Sequence, residues 1–443
     1  MYDIHFDRPI WVHFIGIGGI SMSGLAEILH DRGFTVSGSD MKVSPLTEHL
    51  QSLGIQVSVP QSPENIKSGI ELCIYTAAIA ESNPELQEVK RQGIPTMSRA
   101  ELLGRIMKNY KEAINVSGTH GKTTTTSMIG EILLEAQMDP TITVGGMMKD
   151  IGGNLRVGKS DVFLAEACEY TNSFLSFFPT IEVVLNVEAD HLDFFKDINE
   201  IRQSFRKFIE KLPENGILVF NKDILHSEYF LENLPGRKII TFGHNNADYT
   251  ANFISYDHFA HPTYTLFERG EDRGQVTLGV TGEHNIYNSL SAIAVARAIG
   301  IPLETIKDAL ASFGGTDRRF QRKGTLNGFT IIDDYAHHPQ EIAATIATAK
   351  KYVHKRLWVV FQPHTYSRTL ALMDDFAGAL SQADEIILAD IYAAREKNTM
   401  GVSSDDLRKL MLSQNTNVYY IPDFPSIEEF ILSHVKEGDL LIT

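Results

Sequence analysis

The chain has 443 residues, 43% hydrophobic and 22% charged, with 56 acidic against 40 basic side chains and a formal charge of −16. A length of about three ordinary domains buries enough surface to need no disulfide or metal staple, and the acidic balance excludes a general nucleic-acid binder, whose affinity rests on clustered Lys and Arg. The two cysteines, Cys73 and Cys168, make no disulfide framework, residues 1–9 lack the apolar core of a secretory signal, and no stretch approaches a bilayer span, so a cytoplasmic protein is expected.

Strand-like and helical patterns alternate along the chain, as in parallel sheets flanked by helices. An apolar run at 11–15 predicts a strand, followed by a helix with Met22, Leu25, Ala26 and Leu29 on one face. Between them, Gly16-Ile-Gly18-Gly19-Ile-Ser21 lets backbone approach a phosphate at a helix N-terminus. Asp40 stands where a ribose-binding acid often sits. The standard pattern has glycine at the position of Ser21, and the turn alone fits a bare tight turn as well as a nucleotide site. Runs at 34–36 and 72–75 and a helix over 99–110 lead to a boundary near Lys111.

The second beginning is a strand at 113–116, the loop Gly118-Thr119-His120-Gly121-Lys122-Thr123-Thr124, and a helix carrying Met128, Ile129, Ile132 and Leu133. Lys122 can neutralise terminal phosphates and Thr123 can offer a hydroxyl to Mg²⁺. The outer glycine is closer to Gly121 than in the standard long P-loop, but the order of strand, loop and helix points to an NTP site. Hard oxygen ligands are available at two strand ends, Glu166 and Glu169 after 162–165, and Asp190 beside His191 after 183–187. A strand is expected at 217–220, and antiparallel strands within 247–280.

After Arg318-Arg319, apolar runs at 329–332, 357–361, 385–389 and 418–421 alternate with helical stretches. Asp333-Asp334-Tyr335-Ala-His337-His338-Pro339 follows the first strand. Phe361-Gln-Pro-His364-Thr-Tyr366-Ser-Arg368-Thr369 follows the next, so two successive strand ends bring His, Tyr, Asp and Arg to one rim. No Ser or Cys has an obvious base, and the His pair lacks zinc spacing, so recognition and electrostatics are expected rather than covalent or zinc chemistry. The last strand, at 439–443, predicts a covering helix beyond it.

These motifs, with Gly282-x-His-Asn285-x-x-Asn288 between them, resemble the Mur ligases in order and over essentially the whole chain. The resemblance implies three α/β domains: a Rossmann-like UDP-sugar domain over 1–110, a central P-loop ATPase-type domain with a mostly parallel sheet over 111–316, and a Rossmann-like closing domain over 317–443. The implied activity is ATP-dependent joining of L-alanine to the lactyl carboxylate of UDP-N-acetylmuramate through an acyl phosphate, in peptidoglycan precursor synthesis. A sister ligase adding another amino acid or a recycled peptide is the alternative. The implied partners are these small molecules, without nucleic acid or membrane insertion; monomer and homodimer stay open.

Carried over residue by residue, Gly16, Gly18, Gly19 and Asp40 would bind the UDP-sugar. The loop from Gly118 through Thr119, His120, Gly121, Lys122 and Thr123 to Thr124 would hold ATP. Thr123 and Glu166 would ligate one Mg²⁺ and His191 a second. Asn285 and Asn288 would read adenine, Arg319 would reach the γ-phosphate, and Asp334 would contact the nucleotide. Tyr335, His337, His364 and Arg368 would form the alanine pocket. The expected catalytic residues are Lys122, Glu166, His191 and Arg319. Thr365 stands where some members carry Arg, which leaves more of the carboxylate to Arg368.

Overall fold

The computed structural model describes residues 2–76, 78–191, 194–394, 396–414 and 417–443. Their packing groups them into two compact units, 1–146 with 150–248 and 291–306, and 147–149 with 249–290 and 307–443.

In the first unit, the apolar run Trp11–Ile15 is the middle strand of a five-stranded parallel sheet. The order is Gln56–Ser58, Thr35–Ser39, Trp11–Ile15, Leu72–Tyr75, Thr96–Ser98. A middle strand covered on both faces reads as continuously apolar, which is why it was legible. Helix Ile20–Asp31 buries Met22, Leu25, Ala26 and Leu29, as expected. The helix expected over 99–110 runs from Arg99 to Met107 and starts on a Ser98–Glu101 capping box.

The same unit holds parallel strands in the order Lys238–Phe242, Ile217–Asn221, Ile181–Val184, Glu112–Ser117, Val162–Ala167, Thr141–Met148, with Gly153–Arg156 at the edge. The loop and helix Lys122–Glu135 follow Glu112–Ser117 directly. Glu166 therefore lies at the C-terminal end of one strand flanking that loop, and Asp190 in the segment that follows the other, Ile181–Val184, on the side where α/β sheets bind ligands.

In the second unit, Tyr249–Tyr256, Pro262–Glu268 and Glu271–Thr277 pair antiparallel, as their partly alternating polarity predicts. Its other sheet has the order Gln321–Leu326, Phe329–Asp333, Leu440–Ile442, Leu357–Phe361, Glu385–Leu388, Val418–Tyr420. The strands before Asp334 and His364 are not neighbours, because Leu440–Ile442 lies between them, parallel to both. Three apolar residues buried to 1–4% exposure take the central place, while polar Gln321–Leu326 closes the edge antiparallel. No helix among the described residues is long and apolar enough to cross a membrane.

Candidate active site

The loop after Glu112–Ser117 is built around two glycines in left-handed or extended positive-φ conformations. Gly118 has φ +143°, and a Cβ there would lie 2.9 Å from Leu185 Cβ; Gly121 has φ +83° and caps the helix. Asn186, at the end of the neighbouring strand, braces the loop. Its side-chain oxygen accepts from His120 N at 2.7 Å and its amide donates to His120 O at 3.0 Å. Thr119 Oγ1 accepts from Glu188 N at 2.9 Å. The result is a helix N-terminus presented on a fixed loop, a favourable seat for anions.

Lys122 folds back over this loop. Its ammonium donates to Gly118 O, to Thr119 O at 3.0 Å, and to Glu169 Oε2 at 3.1 Å. Its side chain is 15% exposed and that of Glu169 2%. Burial pulls the Lys122 ammonium down, but Glu169 chiefly outweighs it and holds the group above the ordinary lysine range. Thr123 Oγ1 donates to Glu166 Oε2 at 3.2 Å, and Gly145 N donates to Glu166 Oε1 at 2.6 Å. His191 Nε2 lies 4.0 Å from Glu169 Oε1 and 3.7 Å from Asp190 Oδ2, with its ring 4.6 Å from that of Tyr170. The structure thus brings together Lys122, Thr123, Glu166 and His191, with Glu169 3.1 Å from Lys122 and 4.0 Å from His191.

In the first sheet, Gly18 N donates to Asp40 Oδ2 at 2.8 Å and Met41 N to Oδ1 at 2.7 Å. Asp40 therefore holds the glycine-rich turn itself. Gly16 adopts φ +82°.

In the second unit, Asn285 and Asn288 sit one turn apart in helix His284–Ala298, both 7% exposed. Asn288 donates to Asn285 Oδ1 at 2.9 Å, and Asn285 to Thr281 O at 2.7 Å. The Arg318 guanidinium lies 4.6 Å over the Tyr335 ring and that of Arg319 5.8 Å, with Arg319 3.9 Å from Glu341. Both Asp334 oxygens accept backbone N–H groups, from Phe320 and Ala336, each at 2.8 Å. Burial pushes its carboxyl up despite them. His337 packs 5.2 Å from Tyr335 and 6.3 Å from His364, so the expected rim forms. Burial, then Arg368 and His337, pulls the His364 imidazole down. His364 Nδ1 is buried and has no partner, and Arg368 makes no ion pair, among the described residues.

Sequence reasoning missed the residues that orient these groups. Glu341 accepts from His337 N at 3.1 Å, one helical turn on, a spacing that could have flagged it. Glu396 accepts from Ser367 N at 3.0 Å and Gly145 serves Glu166 across the sheet; neither carries a local signal.

Three family models match in chain order. The one described as Mur ligase family, catalytic domain, covers residues 11–111, the Mur ligase middle domain 116–296, and the Mur ligase, glutamate ligase domain, 318–443. The UDP-N-acetylmuramate–L-alanine ligase of Lachnospira eligens is 57% identical over 445 residues, spanning 100% of this chain and 97% of that protein. That of Agathobacter rectalis is 56% identical, spanning 100% and 96%. Among solved structures, the UDP-N-acetylmuramate-alanine ligase MurC of Thermotoga maritima aligns with a TM-score of 0.78 at 28% identity, over 98% of this chain and 95% of that one.

Proposed function

This chain belongs to the Mur ligase family, and from that premise we propose how its residues divide the work of an ATP-dependent ligase. It joins L-alanine to UDP-N-acetylmuramate in peptidoglycan precursor synthesis. The observation that carries this is 57% identity, from end to end, to a ligase of that name.

A carboxylate is a poor electrophile, so it is activated first. A lactyl carboxylate oxygen attacks the γ-phosphorus of ATP, ADP leaves, and an acyl phosphate forms. The alanine amine then attacks the acyl carbon, and the tetrahedral intermediate collapses with loss of phosphate. No side-chain nucleophile takes part. The protein's task is to bring anions together and to stabilise the charge that develops.

In this reading Lys122, on the loop from Gly118 to Thr124, neutralises the phosphates, and Arg319 reaches the γ-phosphate. Asn285 and Asn288 read the adenine, and Asp334 orders the 318–320 segment that carries Arg319. Gly16, Gly18 and Gly19 meet the UDP diphosphate, with Asp40 shaping their turn. Arg368, without an acidic partner among the described residues, takes the alanine carboxylate. Tyr335, His337 and His364 close around the short side chain.

The donor set suits magnesium. Thr123 and Glu166 offer hard oxygens 3.2 Å apart, and no cluster of three or more His, Cys, Asp and Glu among the described residues forms a cage of its own. That fits a cation drawing most of its shell from phosphate and water. Thr123 and Glu166 would hold one ion and His191 a second, and such ions offset polyphosphate charge. The working boundaries are 1–110, 111–316 and 317–443, and the setting is the cytoplasm, which supplies the ATP.

Phosphate release with each substrate omitted in turn tests the assignment. Release should need ATP, UDP-N-acetylmuramate and L-alanine together; a higher kcat/KM with glutamate or a tripeptide would overturn the choice of alanine.

A further inference from the structure

Beneath the glycine-rich turn of the first sheet lies a buried polar chain that the phosphate chemistry does not use. His13 occupies the centre of strand Trp11–Ile15, in register with Ser37 on one side and Cys73 on the other. It is 1% exposed, and Glu85, which reaches it from helix Pro84–Arg91, is fully buried. Trp11 Nε1 donates to Ser37 Oγ at 2.8 Å, and His13 Nδ1 lies 2.9 Å from the same oxygen. His13 Nε2 lies 3.0 Å from Glu85 Oε1, and Ser39 Oγ donates to Glu85 Oε2 at 2.5 Å.

One assignment satisfies every atom of the chain. The Ser37 hydroxyl donates to Nδ1, Nε2–H donates to one oxygen of Glu85, and Ser39 donates to the other. Glu85 stands in the first turn of helix Pro84–Arg91, at the positive end of its dipole.

The chain ends where the turn begins. Ser39 O accepts from Gly16 N at 2.8 Å and from Ile17 N at 3.0 Å, and Asp40 accepts from Gly18 N at 2.8 Å. Three successive N–H groups of the turn therefore depend on residues 39 and 40, and Ser39 is fixed by Glu85. A strand–helix contact that served packing alone would be met by two apolar side chains. A buried carboxylate is costly unless every partner is in place.

We propose that the buried His13–Glu85 pair is a positioning device for the UDP-sugar site. Acting through Ser39, it holds the 16–19 turn in the shape in which backbone can meet a diphosphate. The inference rests on reading that turn as the UDP-sugar site. His13, Glu85 and Ser39 are positioning residues that touch no substrate.

The test is steady-state kinetics on the full chain, each substrate varied in turn, with calorimetric binding of UDP-N-acetylmuramate and thermal melting alongside. Ser39→Ala cuts only the link between pair and turn, and Glu85→Gln replaces the carboxyl with an amide of the same shape. Losing one such hydrogen bond should raise the KM for UDP-N-acetylmuramate roughly tenfold, leaving kcat and the KM for ATP and L-alanine within about twofold. If both variants bind UDP-N-acetylmuramate as the wild type does, the pair is structural only and the proposal is overturned. Equal rises for all three substrates overturn it too, as general loosening. Gly18→Ala isolates the premise, because a Cβ there would meet Asp40 Oδ2 and Thr47 Cγ2, each at 2.8 Å. An unchanged KM for UDP-N-acetylmuramate in Gly18→Ala refutes the turn assignment itself. A raised KM there, with Ser39→Ala and Glu85→Gln unaffected, refutes only the positioning role.

Discussion

Lys122→Met should injure the protein in two separable ways. Lys122 lies 3.1 Å from Glu169, whose side chain is 2% exposed, and the His191 ring lies 4.0 Å from it. Stranding a buried carboxylate in this manner costs about 3–5 kcal/mol of stability. Removing a charge that meets developing phosphoryl charge separately costs ~10²–10³ in kcat, about 2.7–4 kcal/mol. A second change, Glu169→Gln, removes the stranded charge and supplies no cation. The double variant should therefore regain most of the lost melting temperature and none of the lost rate. Calorimetric melting and phosphate release at saturating substrates read the two quantities independently. The reasoning fails if Lys122→Met retains a kcat within tenfold of the wild type, or if Glu169→Gln leaves the melting temperature of Lys122→Met unimproved.

Arg368→Lys should raise the KM for L-alanine far more than that for ATP, because an ammonium cannot reproduce the paired geometry of guanidinium and carboxylate; equal changes would count against the pocket. Burial, then Asp150 and Glu135, pushes the Glu131 carboxyl up to about 7. A carboxyl raised on folding adds stability below its unfolded value near 4.5 and loses it as pH climbs through about 7. Glu131→Gln should therefore flatten the fall in melting temperature between those limits, and an unchanged slope would refute this. Glu182 is fully buried in strand Ile181–Val184, neither oxygen has a hydrogen-bond partner among the described residues, and burial holds its carboxyl well above the usual range. Glu182→Val should stabilise by about 1–3 kcal/mol, more at high pH, as read by melting; destabilisation would show a partner for that carboxyl.

Much of this arrangement was legible because its physics is local. Trp11–Ile15, Leu357–Phe361 and the helix burying Met22 to Leu29 declare themselves by apolar periodicity, and Gly118 to Thr124 by the residue types a phosphate loop needs. What escaped notice depends on partners far away in sequence. Leu440–Ile442 pairs with strands that begin at Phe329 and Leu357, and three apolar residues at the end of a chain do not reveal that insertion. Gln321–Leu326 is an edge strand too polar to show a strand pattern. The supports of the site are equally silent. Gly145 lies 21 residues from the Glu166 it orients, and Glu396 lies 29 from Ser367. Asp40 and Asp334 are acids that the resemblance places on ligands, and their oxygens also accept backbone N–H groups of the segments they organise, a second task that no local pattern announces.

The central claim is that ATP activates the lactyl carboxylate of UDP-N-acetylmuramate before L-alanine attacks it. Oxygen-18 placed in that carboxylate reports the step directly, because the carboxylate oxygen that attacks phosphorus leaves on phosphate. After turnover with ATP and L-alanine, the inorganic phosphate should carry one labelled oxygen per product formed. Phosphate free of label, alongside normal formation of the alanyl product, would contradict the account.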